Sequence, residues 1–355
     1  MADSDYDYLI VGQGLAGTTL ALHLLDQGKK VLVLGDTALP SSSKVAAGIF
    51  NPLTGKKLVK TWLADDLFPY ARDFYTNLEN RLSCKLLYSV PIFRPFRSIE
   101  EQNTYLAQTA DPAIAPYIAT VQGADLSEYV ESPFGGLEVT QSGWVDLPLL
   151  LDRSKAYFQE VGCYQEASFN AADIQVDTLF VSWNNLTFNK VVFCQGFFGN
   201  DNPYFSWLPF APVKGQILDV ATDVALPDYI VNQGIFMLPT GENVMRVGAT
   251  YSWDPLDWEP TAAAENELKE KLDALIKIPY RIQSAAAGVR PSVKDRRPLV
   301  GIHPEYGNVC IFNGLGTKGV TLAPFFANQL TGHLENGKEL NPLVNIKRYF
   351  SLYFR

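Results

Sequence analysis

From Tyr8 to Asp36 the chain reads YLIVGQGLAGTTLALHLLDQGKKVLVLGD, and no other stretch restricts the possible folds as much. Tyr8 to Val11 is a short β-rich run. Leu20, Ala21, Leu24 and Leu25 then recur at helical spacing, Gly28 ends the helix, and Val31 to Leu34 form a second buried strand. A strand–helix–strand unit of this kind sets two parallel strands side by side under a crossover helix. Between the first strand and the helix stands Gly12-Gln13-Gly14-Leu15-Ala16-Gly17, a GxGxxG turn. Gly12 allows the tight turn, Gly14 lets the backbone approach a pyrophosphate, and Gly17 lets the helix pack closely on the strand. The amides around Leu15 and Ala16 then form an anion site at the helix start. The acidic residue that takes a dinucleotide's adenosine ribose normally follows the second strand directly. Here Gly35 occupies that place, and Asp36, one residue later, is the candidate for the role.

The rest of the chain supplies further elements but no clean linker and no internal repeat. Residues 41–62 mix small residues with Gly48, Pro52 and Gly55. Their apolar interior, which includes Ala47 and Gly48, predicts a buried segment lying against a planar group. Leu67, Tyr70, Ala71, Phe74 and Leu78 give residues 64–84 one apolar helical face. Residues 143–162 read as a turn and a helix. Val191 to Cys194 is a buried strand ending at Gly196, as a parallel sheet needs where a cofactor crosses its carboxyl edge. Residues 212–220 and 234–253 are alternating β segments, the latter with a hairpin turn at Thr240-Gly241-Glu242-Asn243. Residues 261–277 predict an amphipathic helix. The run NVCIFNGLGTKGVTLAPFF closes the fold as strand, glycine loop and helix. The pattern is α/β: a Rossmann-type domain interleaved with a mixed-sheet α+β domain. Segments 1–63, 140–205 and 285–355 are expected in the first, and 64–139 and 206–284 in the second.

Composition narrows the function classes. Aromatics at 12% argue against disorder, and a formal net charge of −9 argues against a nucleic-acid partner. The four cysteines have no metal spacing and the three histidines are scattered, so no metal site is expected. No stretch has the length and apolarity of a membrane span, and the first strand begins too early for a secretory leader. The expectation is a cytoplasmic protein with no membrane association.

Several segments together resemble the D-amino-acid oxidase superfamily. They are the N-terminal glycine motif in its extended form GxGxxGxxxAxxLxxxG, then GWVDLPLLL, VVFCQGFFGN before PVKGQ, GVRPSVKDRRPLVG and NGLGTKGVTLAP, in that order. The likeness spans almost the whole chain, and its ending is most similar to the glycine oxidase and tRNA-modifying oxidase branches. The resemblance implies FAD held non-covalently in an elongated form from the N-terminal glycines to Gly314, Gly316, Thr317, Lys318 and Gly319. It also implies a small amine or amino-acid substrate, oxidised by hydride transfer to the flavin N5, with dioxygen reoxidising the flavin.

On that resemblance Arg290 matches the arginine that pairs with a substrate carboxylate, since its planar fork suits bidentate binding. The alternative for Arg290 is a structural ion pair with an acid. Lys318 is expected to add positive charge beside the flavin, the alternative being an exposed loop lysine. Lys294, Arg296 and Arg297 read as solvated or paired with Asp295, and His303 as structural. One position departs from the family pattern: Phe236 stands where glycine and D-amino-acid oxidases have a tyrosine, and Tyr251 is the candidate replacement. Competing readings are a tRNA wobble-uridine-modifying oxidase, a flavin dehydrogenase passing electrons to a quinone or carrier protein, and an FAD-binding protein without catalysis.

Overall fold

A computed structural model describes residues 4–55, 57–120 and 125–354. Tyr6–Val11 and Val31–Gly35 are parallel neighbours joined by the helix Leu15–Asp26, as the apolar periodicity predicts. The strand Leu186–Phe193 lies on the other side of Tyr6–Val11, and Val309–Asn313 extends the parallel set beyond it. On the opposite edge, Tyr164–Glu166 pairs in parallel with Val31–Gly35. Leu9, Ile10, Val33, Val191 and Val192 have no exposed surface, because a parallel sheet is covered on both faces. One cover is the helix Leu15–Asp26 packed against Gly319–Asn336.

The second sheet runs in the order Tyr280–Arg290, Val213–Thr222, Val244–Gly248, Phe236–Gly241, Ile230–Asn232, Ile92–Pro95, Gly136–Val139, Ile118–Thr120. It is antiparallel except where Ile230–Asn232 meets Ile92–Pro95. The hairpin between Phe236–Gly241 and Val244–Gly248 turns where the sequence places it. Strand alternation gives the two faces different tasks. Leu218 and Val220 pack with Leu268 and Leu272 of the helix Ala262–Asp273. Lys214 and Gln216 share that parity. Lys214 pairs with Asp257 and donates to the Glu259 carbonyl at 2.7 Å, while Gln216 accepts the Thr261 amide at 2.7 Å. Together they pin the segment that leads into the helix. Gly215 and Ile217, of opposite parity, face a cavity. Because Gly215 is paired with Gly288 and Val213 with Arg290, the neighbouring strand presents Gly288 and Arg290 to the same cavity.

Two local features differ from the sequence expectation. Residues 41–62 begin with a short helix, Ser42–Val45, and Ala47 and Ile49 are half-buried because they pack on the core while lining the cavity, with Leu53 and Leu58 of the same segment fully buried. The helix Ala64–Leu82, expected with the second domain, packs on Gly319–Asn336, where the Tyr75 hydroxyl donates to the Val320 carbonyl at 2.7 Å. Its apolar face is read correctly from spacing. The surface it meets lies far along the chain, and spacing carries no information about that.

Candidate active site

A cavity of about 410 Å³ opens at the carboxyl ends of Tyr6–Val11, Val31–Gly35 and Leu186–Phe193 and reaches the second sheet. This is where open parallel sheets bind their ligands. Gly12, Gly14, Leu15 and Ala16 line it. Gly12 has φ +107°, and a Cβ there would stand 2.6 Å from the Cys194 carbonyl oxygen, so the turn and its seat on the neighbouring strand both require glycine. Gly17 does not line the cavity. A Cβ on it would overlap the Gly12 carbonyl oxygen, so its task is close packing. Gly14 is the residue before the helix and offers no side-chain cap, and the first turn holds no acidic residue. A helix N-terminus free of negative charge and open to the cavity suits a diphosphate.

Asp36, Ala47, Gly48 and Gly196 also line the cavity, as do Gly316, Thr317 and Gly319 from the C-terminal glycine loop. Asp36 uses its Oδ1 to accept the Ala38 amide at 3.0 Å. Gly314 lies outside the lining, packed so that a Cβ would stand 2.7 Å from a Val293 methyl. Sequence reasoning missed three groups here. Ser43 reaches the helix start, accepting the Leu15 amide at 3.3 Å, and Ser42 donates to the Val289 carbonyl. Asn313 donates to the Gly196 carbonyl at 2.9 Å and accepts the Gly314 amide at 2.8 Å, tying the two glycine loops together. The run Ser41-Ser42-Ser43 and the polar end of an apolar strand are the only sequence signals for these roles.

Arg290 ends its strand at the cavity wall. Its Nη1 donates to the carbonyls of Lys214 and Thr250, both at 3.3 Å, and its guanidinium lies 4.6 Å from the Tyr251 ring centroid. A Cβ on Gly215 would overlap the guanidinium, so the glycine of PVKGQ clears the space in which Arg290 lies. Burial lowers the Arg290 pKa, and no carboxylate offsets the effect. Among the described residues Arg290 has no ion-pair partner, so the structural ion pair open at the level of sequence is not found. A mostly desolvated cation facing a cavity calls for an anion. Phe236, Tyr251 and Trp258 share this part of the wall, with Trp258 stacked on Phe198 at 6.2 Å. Tyr251 is thus at the cavity and in contact with Arg290.

Lys318 departs from expectation. It precedes the helix Gly319–Asn336, but its side chain is not part of the lining; its Nζ donates to the Thr61 hydroxyl at 2.9 Å. Burial, and then the charge of Arg297, push its pKa down to about 8. From this loop the cavity receives backbone and not the ammonium group. Arg297 lies 4.1 Å over Trp62, Lys294 and Arg296 are exposed, and Asp295 pairs with the distant Arg348 at 3.0 Å and not with these basic side chains. His303 is buried among Tyr204, Phe205, Trp207, Tyr306 and Tyr353 and accepts the Glu305 amide at 3.2 Å. It is outside the lining. Among the described residues there is no cluster of metal-ligating side chains, and no helix is long and apolar enough to cross a membrane.

Comparison with known proteins bears on this geometry. Residues 7–332 match the family described as FAD dependent oxidoreductase. The tRNA 5-methylaminomethyl-2-thiouridine biosynthesis bifunctional protein MnmC of Actinobacillus pleuropneumoniae serotype 5b (strain L20) is 24% identical, over 91% of this chain and 55% of its own. The chain therefore spans about half the length of the curated relatives it matches first. Glycine oxidase of Bacillus subtilis (strain 168) is 31% identical over 38% of this chain and 36% of its own. In fold, glycine oxidase from Bacillus cereus ATCC 14579 superposes with a TM-score of 0.78 at 20% identity, covering 94% of this chain and 96% of that one. Iminodiacetate oxidase from Chelativorans sp. BNC1 gives 0.76 at 19% identity, over 96% and 98%. With a family match across nearly the whole chain and a cavity whose glycine turn suits a diphosphate, the protein belongs to the DAO family of FAD dependent oxidoreductases, and FAD is its cofactor.

Proposed function

We propose that this enzyme oxidises the carbon–nitrogen bond of a small amine or amino acid that carries a carboxylate, with dioxygen as the final electron acceptor. The observation that carries this reading is Arg290, a cation at the cavity wall whose hydrogen-bond partners among the described residues are two backbone carbonyls. A substrate carboxylate would take the guanidinium fork and so fix the rest of the molecule. Tyr251, Phe236 and Trp258 share the wall beside Arg290 and would border the reacting carbon. Bound in the cavity, FAD supplies the acceptor for a hydride.

The lining also favours hydride transfer over proton abstraction. Its titratable side chains are Asp36, Lys44, Tyr164, Cys194, Tyr251 and Arg290, with no histidine or glutamate among the described residues. Asp36 belongs to the dinucleotide side, so no carboxylate base stands beside Arg290. The neutral amine lends its lone pair as the hydride leaves, and the substrate departs as an iminium ion that water hydrolyses. The hydride's two electrons and proton, with one proton from solvent, convert dioxygen to hydrogen peroxide.

Fold neighbours named as a glycine oxidase and an iminodiacetate oxidase support a compact carboxylate-bearing amine. The curated relatives named for tRNA modification favour a second reading, in which the amine is carried on a tRNA base. Oxygen uptake with free N-substituted glycines and with tRNA separates the two. Free substrates are expected to yield one hydrogen peroxide per amine oxidised. Turnover with tRNA alone would favour the second reading, and turnover only with a quinone or dye would replace dioxygen by a carrier.

A further inference from the structure

The second strand ends in a glycine where a dinucleotide fold normally carries an acid, and the structure supplies a physical reason. Tyr164–Glu166 pairs in parallel with Val31–Gly35, with Glu166 directly opposite Gly35. A Cβ on Gly35 would overlap the Tyr164 hydroxyl and stand 2.9 Å from two of the ring carbons. No acid can occupy position 35 while Tyr164 keeps its place. The Tyr164 ring lines the cavity corner together with Asp36, Thr37 and Ala167.

We propose that Tyr164 binds the adenosine ribose of FAD, with Glu166 as the residue that positions it. This rests on the assignment of FAD as the cofactor. The Tyr164 hydroxyl donates to Glu166 Oε2 at 2.7 Å, and Lys155 donates to the same oxygen at 2.7 Å. Glu166 Oε1 accepts the Thr37 amide at 2.6 Å, fixing the turn that follows the strand. The Lys155 ammonium also lies 5.0 Å from the Tyr164 ring centroid. Hydrogen bonds from Lys155, and then from Thr37 and Tyr164, hold the Glu166 pKa down to about 2, so it stays an acceptor. With its proton committed to Glu166, the phenol oxygen has lone pairs left to accept a ribose hydroxyl. The acid that this fold requires thus comes from the neighbouring strand and acts through a tyrosine.

The test is calorimetric binding of ADP, 2′-deoxy-ADP and 3′-deoxy-ADP to the protein stripped of FAD, a readout independent of turnover. The wild type is expected to prefer ADP over at least one deoxy form by about tenfold, the scale of one hydrogen bond. Tyr164→Phe is expected to abolish that preference and to weaken FAD binding by a similar factor. Glu166→Gln, which leaves the phenol in place, should reduce the preference without abolishing it. Asp36→Asn should leave it intact. A Tyr164→Phe protein that still discriminates like the wild type would overturn the proposal. So would loss of discrimination in Asp36→Asn, which would assign the ribose to Asp36. If Tyr164→Phe does not fold, the Glu166→Gln and Asp36→Asn pair still decides, because the two assignments predict opposite orders of effect.

Discussion

Arg290→Lys is expected to lower kcat/KM for a carboxylate-bearing amine by about two to three orders of magnitude while FAD stays bound. Leaving one partner of a desolvated ion pair without the other costs about 3–5 kcal/mol, which converts to that range of rates. Lysine retains the charge but not the planar fork, and its ammonium group cannot donate to two carbonyls and a carboxylate in one plane. The space cleared by Gly215 fits a flat guanidinium lying across the strand. Steady-state kinetics with the flavin content read in parallel checks this. If kcat/KM is unchanged, Arg290 holds only the Lys214 and Thr250 carbonyls, and its role is structural.

The glycines of the first turn should separate fold from cofactor. Gly17→Ala places a methyl group into the Gly12 carbonyl oxygen, against backbone that cannot yield as a flexible side chain would. Overpacking of that severity costs about 3 kcal/mol or more, enough to lower the Tm of the FAD-free protein by about 4 °C or more. Gly14→Ala behaves differently. Its Cβ meets only the Ser43 hydroxyl, at 3.6 Å, an ordinary contact. The FAD-free Gly14→Ala protein should melt within about 1 °C of the wild type. FAD affinity should fall by about a hundredfold, because the methyl group occupies the approach to the diphosphate. Thermal melts and flavin fluorescence titration of both variants give the comparison. Equal losses of stability in the two would mean that Gly14 is a packing glycine like Gly17.

Those two glycines also mark how far the sequence can be read. The motif, its flanking strands and the hairpin at residues 240–243 follow from local period and turn chemistry, and the structure has them in place. The place of Arg290 at the cavity wall is legible because its strand and neighbours follow a family order, while its contact with Gly215 depends on antiparallel register across seventy-odd residues of chain. Lys318 was misread for a related reason. A lysine at a helix start beside a glycine loop looks aimed at the ligand, but Thr61 captures its ammonium from a distant segment. Gly35 is the sharpest case. As a sequence symbol it is a missing acid, and only the pairing of Tyr164–Glu166 against Val31–Gly35 shows that a tyrosine fills the space. Local chemistry sets which elements form. Side-chain capture across the sheet sets which residues face the ligand.

The proposal that Arg290 anchors a carboxylate-bearing amine for oxidation is tested most directly by the absorbance of the flavin under anaerobic conditions. The FAD-loaded protein would be mixed with a series of N-substituted glycines and with the matching amines that lack the carboxylate. The visible flavin band is expected to bleach with a member of the first series, and much more slowly with its decarboxylated counterpart. Bleaching by the decarboxylated amine at the same rate would contradict the account, as would a band that dithionite reduces and no member of the carboxylate series does.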